Sequence, residues 1–478
     1  MSAADGSADT AFRVADRLGR VEGPWDVYGE RSRRYEVHLN GLRVELVRGP
    51  IFLEGYGIRL LRRRGESLGI GFQASTDLSE EGVRRVVSEA ETIARFSSFP
   101  APRAELPGPS GAASSVEVLD RALASDTPRA LDEYVAALRR AFEGTPGAVP
   151  TFGSVKVTLT DTTLVNSGGL KNQYSHSMVE EEIAIKSFGG PEGTPPGEYW
   201  HSATERLLAP DSVAARVENW VRYARDARRA KSPPSGVARV ILPPEVLDGI
   251  LPMVIGFKLS GLAHLRHLAP EPGSVAGPSG LSISDDGRIP WATGSSPVDD
   301  EGTPQANRPL IAEGKVAEIL YDCLYASALG AHSTGNARRG SRFFRAPGRR
   351  FMGQAAPGPS TTVIPAGSGG SDAELIEAVG DGVWVQQIGW ASPEPMTTSF
   401  GGEIRIGYRI RGGKLAEPVR GGTIGGLLLA PEGKPSMFND LEAAGSSPVL
   451  CGGVYTPALL VRSMTVSGDD SKPATAVP

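Results

Sequence analysis

Two histidines lie close enough in the sequence to act together. His264 and His267 are three residues apart, and on a helix this spacing puts both side chains on one face, where they could hold one metal ion. The alternative is that both lie near the C-terminal end of a helix, where histidine is favoured by the helix dipole. No third ligand is indicated around them, so the pair alone does not predict a metal site.

Cys451 is a second candidate for chemistry. It precedes Gly452 and Gly453 on a predicted turn before a strand, where an exposed thiol could act as a nucleophile or a metal ligand. The alternative is a small buried apolar side chain, because no histidine or acid that would activate the thiol is evident. Cys323 is the only other cysteine, which excludes a disulfide scaffold and leads us to expect a cytoplasmic location.

A third candidate is the loop 332–340, which combines hydroxyls, an amide and two guanidinium groups between glycines. Such donors can bind a peptide backbone or a carboxylate, whereas the alternative is an ordinary surface loop. No catalytic residue is assigned, and Cys451 and His332 are the candidates if the chain is catalytic. The predicted substrate-binding residues are Ser333, Thr334, Gly335, Asn336 and Arg338. The acidic segment 299–302 could attract a cation, but a solvated turn is the simpler interpretation.

Composition limits the classes of partner. The 478 residues carry a net charge of -5 and are 40% hydrophobic, which is typical of a globular protein. This charge offers no basic surface for nucleic acid, so we expect no nucleic-acid partner. The longest apolar stretch, 250–255, is too short to span a bilayer, and no secretory signal is predicted.

Helical signals in the first half supply local structure around these candidates. Ser79 precedes apolar residues at helical spacing and is a predicted helix cap. Thr127–Pro128 is predicted to open a second helix, with Thr127 as the cap. A third helix is predicted over about 211–230, whereas residues 1–30 show no pattern.

The second half is predicted to be rich in strands. Pro243–Pro244 is predicted to begin a helix that continues towards Leu268. The clearest strand is 403–411, in which alternate residues are apolar and the glycine pair 412–413 predicts a tight hairpin turn. Ser371 or Asp372 is predicted to cap a short helix.

The length exceeds what one hydrophobic core supports, which predicts two domains. The Pro- and Ser-rich segment 232–236 is the predicted boundary. It divides the chain into an N-terminal domain over 1–235 and a C-terminal domain over 236–478. The polar tail 469–478 is expected to be disordered.

An ordered series of segments resembles the TldD/PmbA family. The first half fits through GFQASTDL at 71–78 and the helix that follows. The order and spacing of the segments together are specific, and they cover nearly the whole chain. In the second half the segments are 299–303 (DDEGT), 308–315, 333–337 (STGNA), 371–376, 413–419, 422–425 (GTIG) and 464–468.

The resemblance implies an α+β protein of two domains, a mixed N-terminal domain and a C-terminal domain rich in antiparallel strands. TldD-type members look like zinc peptidases with H-E-x-x-x-H on a helix and a cysteine near the end, which Cys451 matches. PmbA-type members, also called TldE, lack the helix motif and assemble with a TldD-type partner. Here Pro252, Met253 and Phe257 occupy the corresponding positions, and none can bind zinc or act as a general base. The chain therefore resembles the PmbA (TldE) arm, with no metal of its own.

The resemblance favours a non-metal-binding subunit of a metallopeptidase complex that acts on peptides or peptide-like substrates, in proteolysis or peptide maturation. The expected partner is a TldD-type zinc peptidase chain in a heterodimer, with a homodimer as the competing arrangement. The alternative is a metal-independent hydrolase or tailoring enzyme acting on a peptide-like metabolite in a biosynthetic pathway, through Cys451 or His332. The even charge balance does not support a third hypothesis, the gyrase-modulator role attached to the family name.

Overall fold

A computed structural model of the protein describes residues 7–19, 21–109, 115–189, 194–340 and 347–468. The tail 469–478, expected to be disordered, lies outside these residues. The fold is α+β with a mixed N-terminal half and a strand-rich C-terminal half, as predicted. No helix in the described ranges is long and apolar enough to cross a membrane.

The N-terminal half contains one antiparallel sheet and helices that pack on one of its faces. A 3-10 helix at Pro210–Ser212 precedes the last helix. In chain order the other elements are α1 (Ser7–Leu18), β1 (Trp25–Asn40), β2 (Arg43–Arg64), β3 (Ser67–Ser75), α2 (Glu80–Phe96), α3 (Arg121–Ser125), α4 (Thr127–Glu143), β4 (Ala148–Asn166), β5 (Lys171–Ser187), β6 (Gly197–Glu205) and α5 (Val213–Arg229).

The strands of this sheet follow the order β3-β2-β1-β4-β5-β6 among the described residues. Residues that alternate along β4, such as Val155, Val157 and Leu159, are buried against α4 and α5. Helices α1 and α2 cover the other end of the same face. Because side chains alternate between the two faces of a strand, the intervening residues of β4 lie on the face without helices.

Local signals placed two of these helices correctly. The Ser79 side chain accepts the amide proton of Gly82 at 3.0 Å and caps α2, as predicted. Helix α4 begins at Thr127, but its cap is Asp126, whose carboxylate accepts from the Arg129 amide at 3.2 Å. Helix α1 lies where the sequence predicts no element, and it is held by apolar contacts with β1 and β2.

The C-terminal half contains short helices and several strand pairings. A 3-10 helix lies at Arg350–Met352. The other elements are β7 (Gly236–Leu242), α6 (Pro244–Asp248), α7 (Leu251–Lys258), α8 (Gly261–Leu265), β8 (Ile283–Asp286), β9 (Asn307–Ala312), β10 (Lys315–Val316), α9 (Cys323–Ala328), β11 (Ala337–Arg338), β12 (Ala356–Pro357), β13 (Thr362–Val363), α10 (Asp372–Val379), β14 (Gly382–Gly389), β15 (Ser399–Arg411), β16 (Lys414–Val419), β17 (Thr423–Leu427), β18 (Leu441–Ala444), β19 (Val449–Cys451), β20 (Val454–Thr456) and β21 (Leu459–Ser467).

Strand pairings in this half close on themselves. The described strands run in the order β14-β7-β21-β17-β15, and β14 also pairs with β15, so the pairings form a ring. The apolar core lies between this ring and helices α6 and α7. The predicted hairpin is confirmed, since β15 and β16 are joined by Gly412 and Gly413 at φ values of +53° and +73°. The predicted cap of α10 is Ser371, which forms a capping box with Glu374.

The long helix predicted from Pro243 to Leu268 is wrong, because the chain forms α6, α7 and α8 instead. Gly249 ends α6, and Pro252 lies in the first turn of α7, where the missing amide proton is not needed. Ser260 then caps α8. His264 and His267 share no helical face, since α8 ends at Leu265. The segment 230–235 joins α5 to β7, and the division at 235/236 stays a prediction.

Candidate functional site

The helix-free face of the N-terminal sheet is polar, and we call the alternate residues that form it the polar face. Side chains from β1, β4 and β5 lie in rows across it, because the three strands are in register. Several hydroxyls on this face, including those of Thr158, Thr160 and Thr162, are buried without a hydrogen-bond partner among the described residues. Buried polar groups are normally paired, so this face presents groups suited to bound water or a polar ligand. The rows are Ser32–Thr160–His176, Arg34–Thr158–Met178 and Glu36–Lys156–Glu180.

An interface ion cluster, formed by Asp26, Arg59, Glu301 and Arg339, joins the two halves at one end of the polar face. The Arg59 side chain is fully buried, with Nε 2.6 Å from Asp26 Oδ2 and Nη1 2.6 Å from Glu301 Oε1. Arg339 donates to Asp26 Oδ1 at 2.6 Å. The cluster pairs two cations with two anions, which compensates their burial.

The solvated turn and cation site considered for 299–302 are both wrong. The Asp299 carboxylate is buried and accepts the amide protons of Glu301, Thr303 and Ala337 at 3.0, 2.8 and 2.9 Å. Burial and the neighbouring Glu301 raise the pKa of Asp299 to about 7. The segment therefore holds loops of the C-terminal half together, and its acids are already engaged by protein groups.

Arg206 fastens the loop 292–295 to the N-terminal half. It is buried and donates only to backbone carbonyls, among them those of Ala292 at 2.8 Å and Ser295 at 2.8 Å. Thr293 in the same loop donates its hydroxyl proton to the Gly452 carbonyl at 2.7 Å. Arg206 thus supports the turn that follows Cys451.

Cys451 ends β19, where it is half-buried and faces the helices α6 and α7. The Gly453 amide donates to Asp248 Oδ1 at 2.7 Å, and a Cβ added at Gly453 would lie 3.4 Å from Pro252 Cγ. Burial, followed by the charges of Asp248 and Glu245, raises the pKa of the Cys451 thiol far above its usual range. This raised pKa favours the protonated thiol, which is a poor nucleophile.

The predicted substrate-binding loop is mostly turned into the protein. Thr334 and Asn336 are buried and hydrogen bonded to each other at 2.8 Å, and Asn336 also donates to Asp285 at 2.6 Å. Gly335 is buried beside Pro304 at a φ of +80°, a conformation that favours glycine. Ser333 is partly buried, with its hydroxyl 3.4 Å from that of Thr303. Of the predicted set, Arg338 alone carries buried side-chain nitrogens without a partner.

His332 lies apart from Cys451, in a cleft of about 550 Å³ between the two halves. The cleft is also lined by Arg63, Arg103 and Glu105 from the N-terminal half. Cys323 contributes a thiol whose pKa is raised well above the usual range by burial and by Glu301. His332 and Cys323 thus share one cleft, while Cys451 belongs to a different place in the fold.

Comparisons with known proteins agree with this architecture. A family model described as the PmbA/TldA metallopeptidase C-terminal domain matches residues 235–468. The chain is 25% identical to a metalloprotease TldD homolog of Buchnera aphidicola subsp. Acyrthosiphon pisum over 442 residues, 87% of this chain and 86% of that one. It is 30% identical to a metalloprotease TldD homolog of Haemophilus influenzae over 195 residues, 39% of this chain and 38% of that one.

A solved structure shows the same fold. TldE from Thermococcus kodakarensis superposes with a TM-score of 0.76 at 19% identity, covering 96% of this chain and 100% of that one. The chain belongs to the TldD/PmbA family. Of the family segments recognised in the sequence, DDEGT contributes Glu301 to the interface ion cluster, and Asp299 of DDEGT accepts the amide proton of Ala337 at the end of STGNA.

The positions that the resemblance matches to the zinc-binding helix of TldD-type members, Pro252, Met253 and Phe257, hold apolar side chains. Pro252 lies beside the Cys451 turn, and Phe257 is buried on α7. In the described ranges, no three His, Cys, Asp or Glu side chains are grouped closely enough to hold a metal ion. The residues present around Cys451 do not fit a zinc site, since Pro252 offers no ligand atom beside the turn and Asp248 already accepts an amide proton.

Glu30 on the polar face makes stability depend on pH. Burial raises the pKa of Glu30 to about 7, although Arg350 and the Phe351 amide oppose this rise. The folded state therefore binds more protons than the unfolded state between about pH 4.5 and pH 7, and stability is lost as pH rises through 7. We expect the free energy of unfolding to fall by about 2 kcal/mol from Glu30 alone between pH 5.5 and pH 8.

Urea denaturation at the two pH values measures this change, with Glu30→Gln as the variant that removes the titrating group. The variant should show a smaller difference between the two pH values than the natural chain. Asp299 contributes in the same direction, so part of the dependence should remain. An identical pH dependence in the variant and the natural chain would contradict the assignment to Glu30.

Proposed function

We propose that this chain is a non-metal-binding subunit of a TldD/PmbA-type metallopeptidase complex that acts on peptides or peptide-like substrates. The observation that carries the proposal is Pro252 beside the Cys451 turn, where zinc-binding members of the family have a histidine. Phe257 replaces the second histidine and is buried against the core. These replacements support an intact fold whose metal chemistry is supplied by another chain, as in the PmbA (TldE) arm.

The polar face supports a role in substrate binding. Its hydroxyls at Thr158, Thr160 and Thr162 are unpaired in the protein, and its charged row includes Arg34, 2.6 Å from Glu36. A peptide backbone carries both donors and acceptors that such groups recognise. In this proposal the polar face forms one wall of the compartment in which the complex holds its substrate.

The outer edge of β2 supports assembly with another chain. Residues 43–54 of β2 pair with β1, whereas β3 pairs only with residues 56–64, so the described chain leaves this edge open. The segment exposes Val44, Val47 and Phe52, at 44%, 67% and 61% exposure. An open edge with apolar side chains is suited to pairing with a strand of another protein. The proposed partner is a TldD-type chain, and a second copy of this chain is the competing occupant.

The alternative, a metal-independent hydrolase or tailoring enzyme, has less support. Its nucleophile would be Cys451 or a group activated by His332. The Cys451 thiol is held in its protonated form, and His332 lies in a separate cleft. The Cys323 thiol does lie within hydrogen-bond distance of the Glu301 carboxylate, but Glu301 and burial raise its pKa well above the usual range, which disfavours a thiolate nucleophile.

Co-expression with a TldD-type chain tests the proposal. We expect a mixed dimer by size-exclusion chromatography with mass measurement, with zinc in the partner and peptidase activity that requires both chains. The double variant Val47→Lys/Phe52→Lys should lose the mixed dimer and at least tenfold in activity, because charges oppose burial of the edge. Phe96→Lys, which alters an exposed apolar residue on α2, is the matched control.

Recovery of homodimers alone, together with full peptidase activity of the partner without this chain, would contradict the proposal. Peptidase activity of the isolated chain that is lost in Cys451→Ala would instead favour the metal-independent enzyme.

A further inference from the structure

We propose that Arg338, with Tyr174 and His176, forms a binding site for a carboxylate group of a peptide substrate. This inference rests on the proposed role of the polar face in substrate binding and names the chemistry that the face recognises. Arg338 is in β11 of the C-terminal half, whereas Tyr174 and His176 are in β5 of the N-terminal sheet. Arg338 is close enough to Tyr174 for its charge to oppose the rise in the tyrosine pKa that burial causes, so the site lies where the two halves meet.

Two nitrogens of the partly buried Arg338 guanidinium lack a hydrogen-bond partner among the described residues. Its Nε and Nη2 atoms are buried and form no hydrogen bond, and no carboxylate of the described chain is within ion-pair distance. The adjacent residue Arg339, in contrast, forms an ion pair with Asp26 at 2.6 Å. Buried charges are normally paired, because an unpaired buried cation is costly. A ligand anion would remove that cost.

Two further groups on β5 are also unpaired. Tyr174 Oη and His176 Nδ1 are buried and have no hydrogen-bond partner within the described part of the chain. The two residues are on the same face of the strand, with ring centroids 5.9 Å apart. The tyrosine hydroxyl can donate to a carboxylate oxygen, and the histidine can do so in the tautomer that carries a proton on Nδ1.

Arg206, Arg338 and Arg350 lie around Tyr174, together with the carboxylates of Asp300 and Glu30. Glu30 already accepts from the Tyr28 hydroxyl and the Phe351 amide. Arg206 donates only to backbone carbonyls, and its pKa falls to about 9 through burial and the nearby Arg350 and Arg338, with Tyr174 acting in the opposite direction. Burial, Arg206 and Arg350 hold the pKa of His176 well below its usual range.

The nearby acids are already engaged. Asp300 is paired with Arg350. Asp285, which lies near Arg338, accepts from the Ser360 amide at 2.7 Å, from the Ser360 hydroxyl and from Asn336 at 2.6 Å. A carboxylate is the ligand that fits, since it offers two oxygens to the planar guanidinium fork and supplies the missing charge.

Calorimetric titration of the full chain with two N-acetylated trialanine peptides tests the inference, one ending in a free carboxylate and the other in an amide. We expect the acid to bind roughly tenfold to a hundredfold more tightly than the amide. Arg338→Gln should abolish this preference, and Tyr174→Phe should weaken binding of the acid more than that of the amide. Acetyl-Ala-Glu-Ala-amide distinguishes a side-chain carboxylate from a chain-terminal one.

Two controls keep the result specific. Arg63→Gln removes an exposed arginine of the His332 cleft and should leave the preference unchanged. Arg338→Gln should not lower the melting temperature without ligand, because the guanidinium has no partner to lose.

Any of three outcomes of the peptide experiments would overturn the inference: equal affinity for all three peptides, loss of the preference in Arg63→Gln, or a lower melting temperature in Arg338→Gln. A chain that binds inorganic phosphate but none of the peptides would overturn it as well. Formation of the mixed dimer, tested above, does not depend on any of these results.

Discussion

Replacement of Arg206 by alanine is expected to lower the free energy of unfolding by roughly 3–5 kcal/mol. The guanidinium donates to five backbone carbonyls, those of Val118, Ser177, Ala292, Thr293 and Ser295. Removing it takes one donor from each of these buried carbonyls. Those of Val118 and Ala292 keep an amide donor, and each group left unsatisfied costs about 1–3 kcal/mol unless water enters. Because the carbonyls come from both halves, the loss should also separate the loop 292–295 from the N-terminal sheet.

Urea denaturation followed by tryptophan fluorescence measures this effect. Arg206→Lys should recover only part of the stability, since an ammonium has three donors and lacks the planar fork of arginine. Arg222→Ala on α5 is the matched control, because Arg222 bonds only to Asn219 on the surface of the same helix and stacks on Tyr223. A loss below about 1 kcal/mol for Arg206→Ala, similar to that of the control, would show that the Arg206 hydrogen bonds are dispensable for stability.

Replacement of Arg59 by methionine is expected to cost about 3–5 kcal/mol, because it removes one partner of a buried ion pair. Glu301 Oε1 would lose the cation 2.6 Å away, and Asp26 would keep only Arg339. Two carboxylates would then share one buried cation. Since Arg59 and Glu301 belong to different halves, the predicted effect is on the packing of one half against the other.

A second variant separates charge from packing in this prediction. Arg59→Met combined with Glu301→Gln should recover at least half of the loss, because glutamine removes the unpaired charge and still accepts the Cys323 amide proton. Thermal unfolding of the natural chain, the single variant and the double variant provides the comparison. A double variant less stable than Arg59→Met would argue that the fold depends on the Glu301 charge itself.

Two buried arginines that join the halves, Arg59 and Arg206, were not identified from the sequence. Arg59 lies within an apolar run, between Ile58 and Leu60, and a charge in such a run is a signal that a buried partner exists. Its partners Asp26 and Glu301 are 33 and 242 positions away in numbering, so no local pattern names them. Arg206 offers no comparable signal, because its partners are backbone groups.

The tertiary structure gives different roles to the residues predicted to bind substrate. Thr334 and Asn336 were chosen because hydroxyls and amides suit ligand binding, and the fold uses both to fasten their own loop to Tyr321 and Asp285. Arg338 from the same segment keeps unpaired donors, so its predicted role in substrate binding is narrowed to the proposed carboxylate site. Sequence cannot separate these cases, since both require donors on a loop.

The sequence by itself determined several local elements and the family. The helix caps Ser79 and Ser371 and the turn at Gly412–Gly413 each depend on groups within a few residues of one another. Such short-range interactions can be predicted from the sequence. Only the tertiary structure decided that 299–302 is a buried junction, that Cys451 is protonated and that the polar face carries unpaired groups. The reason is physical, because burial and pairing depend on contacts such as Arg339–Asp26, 313 positions apart, which local sequence does not encode.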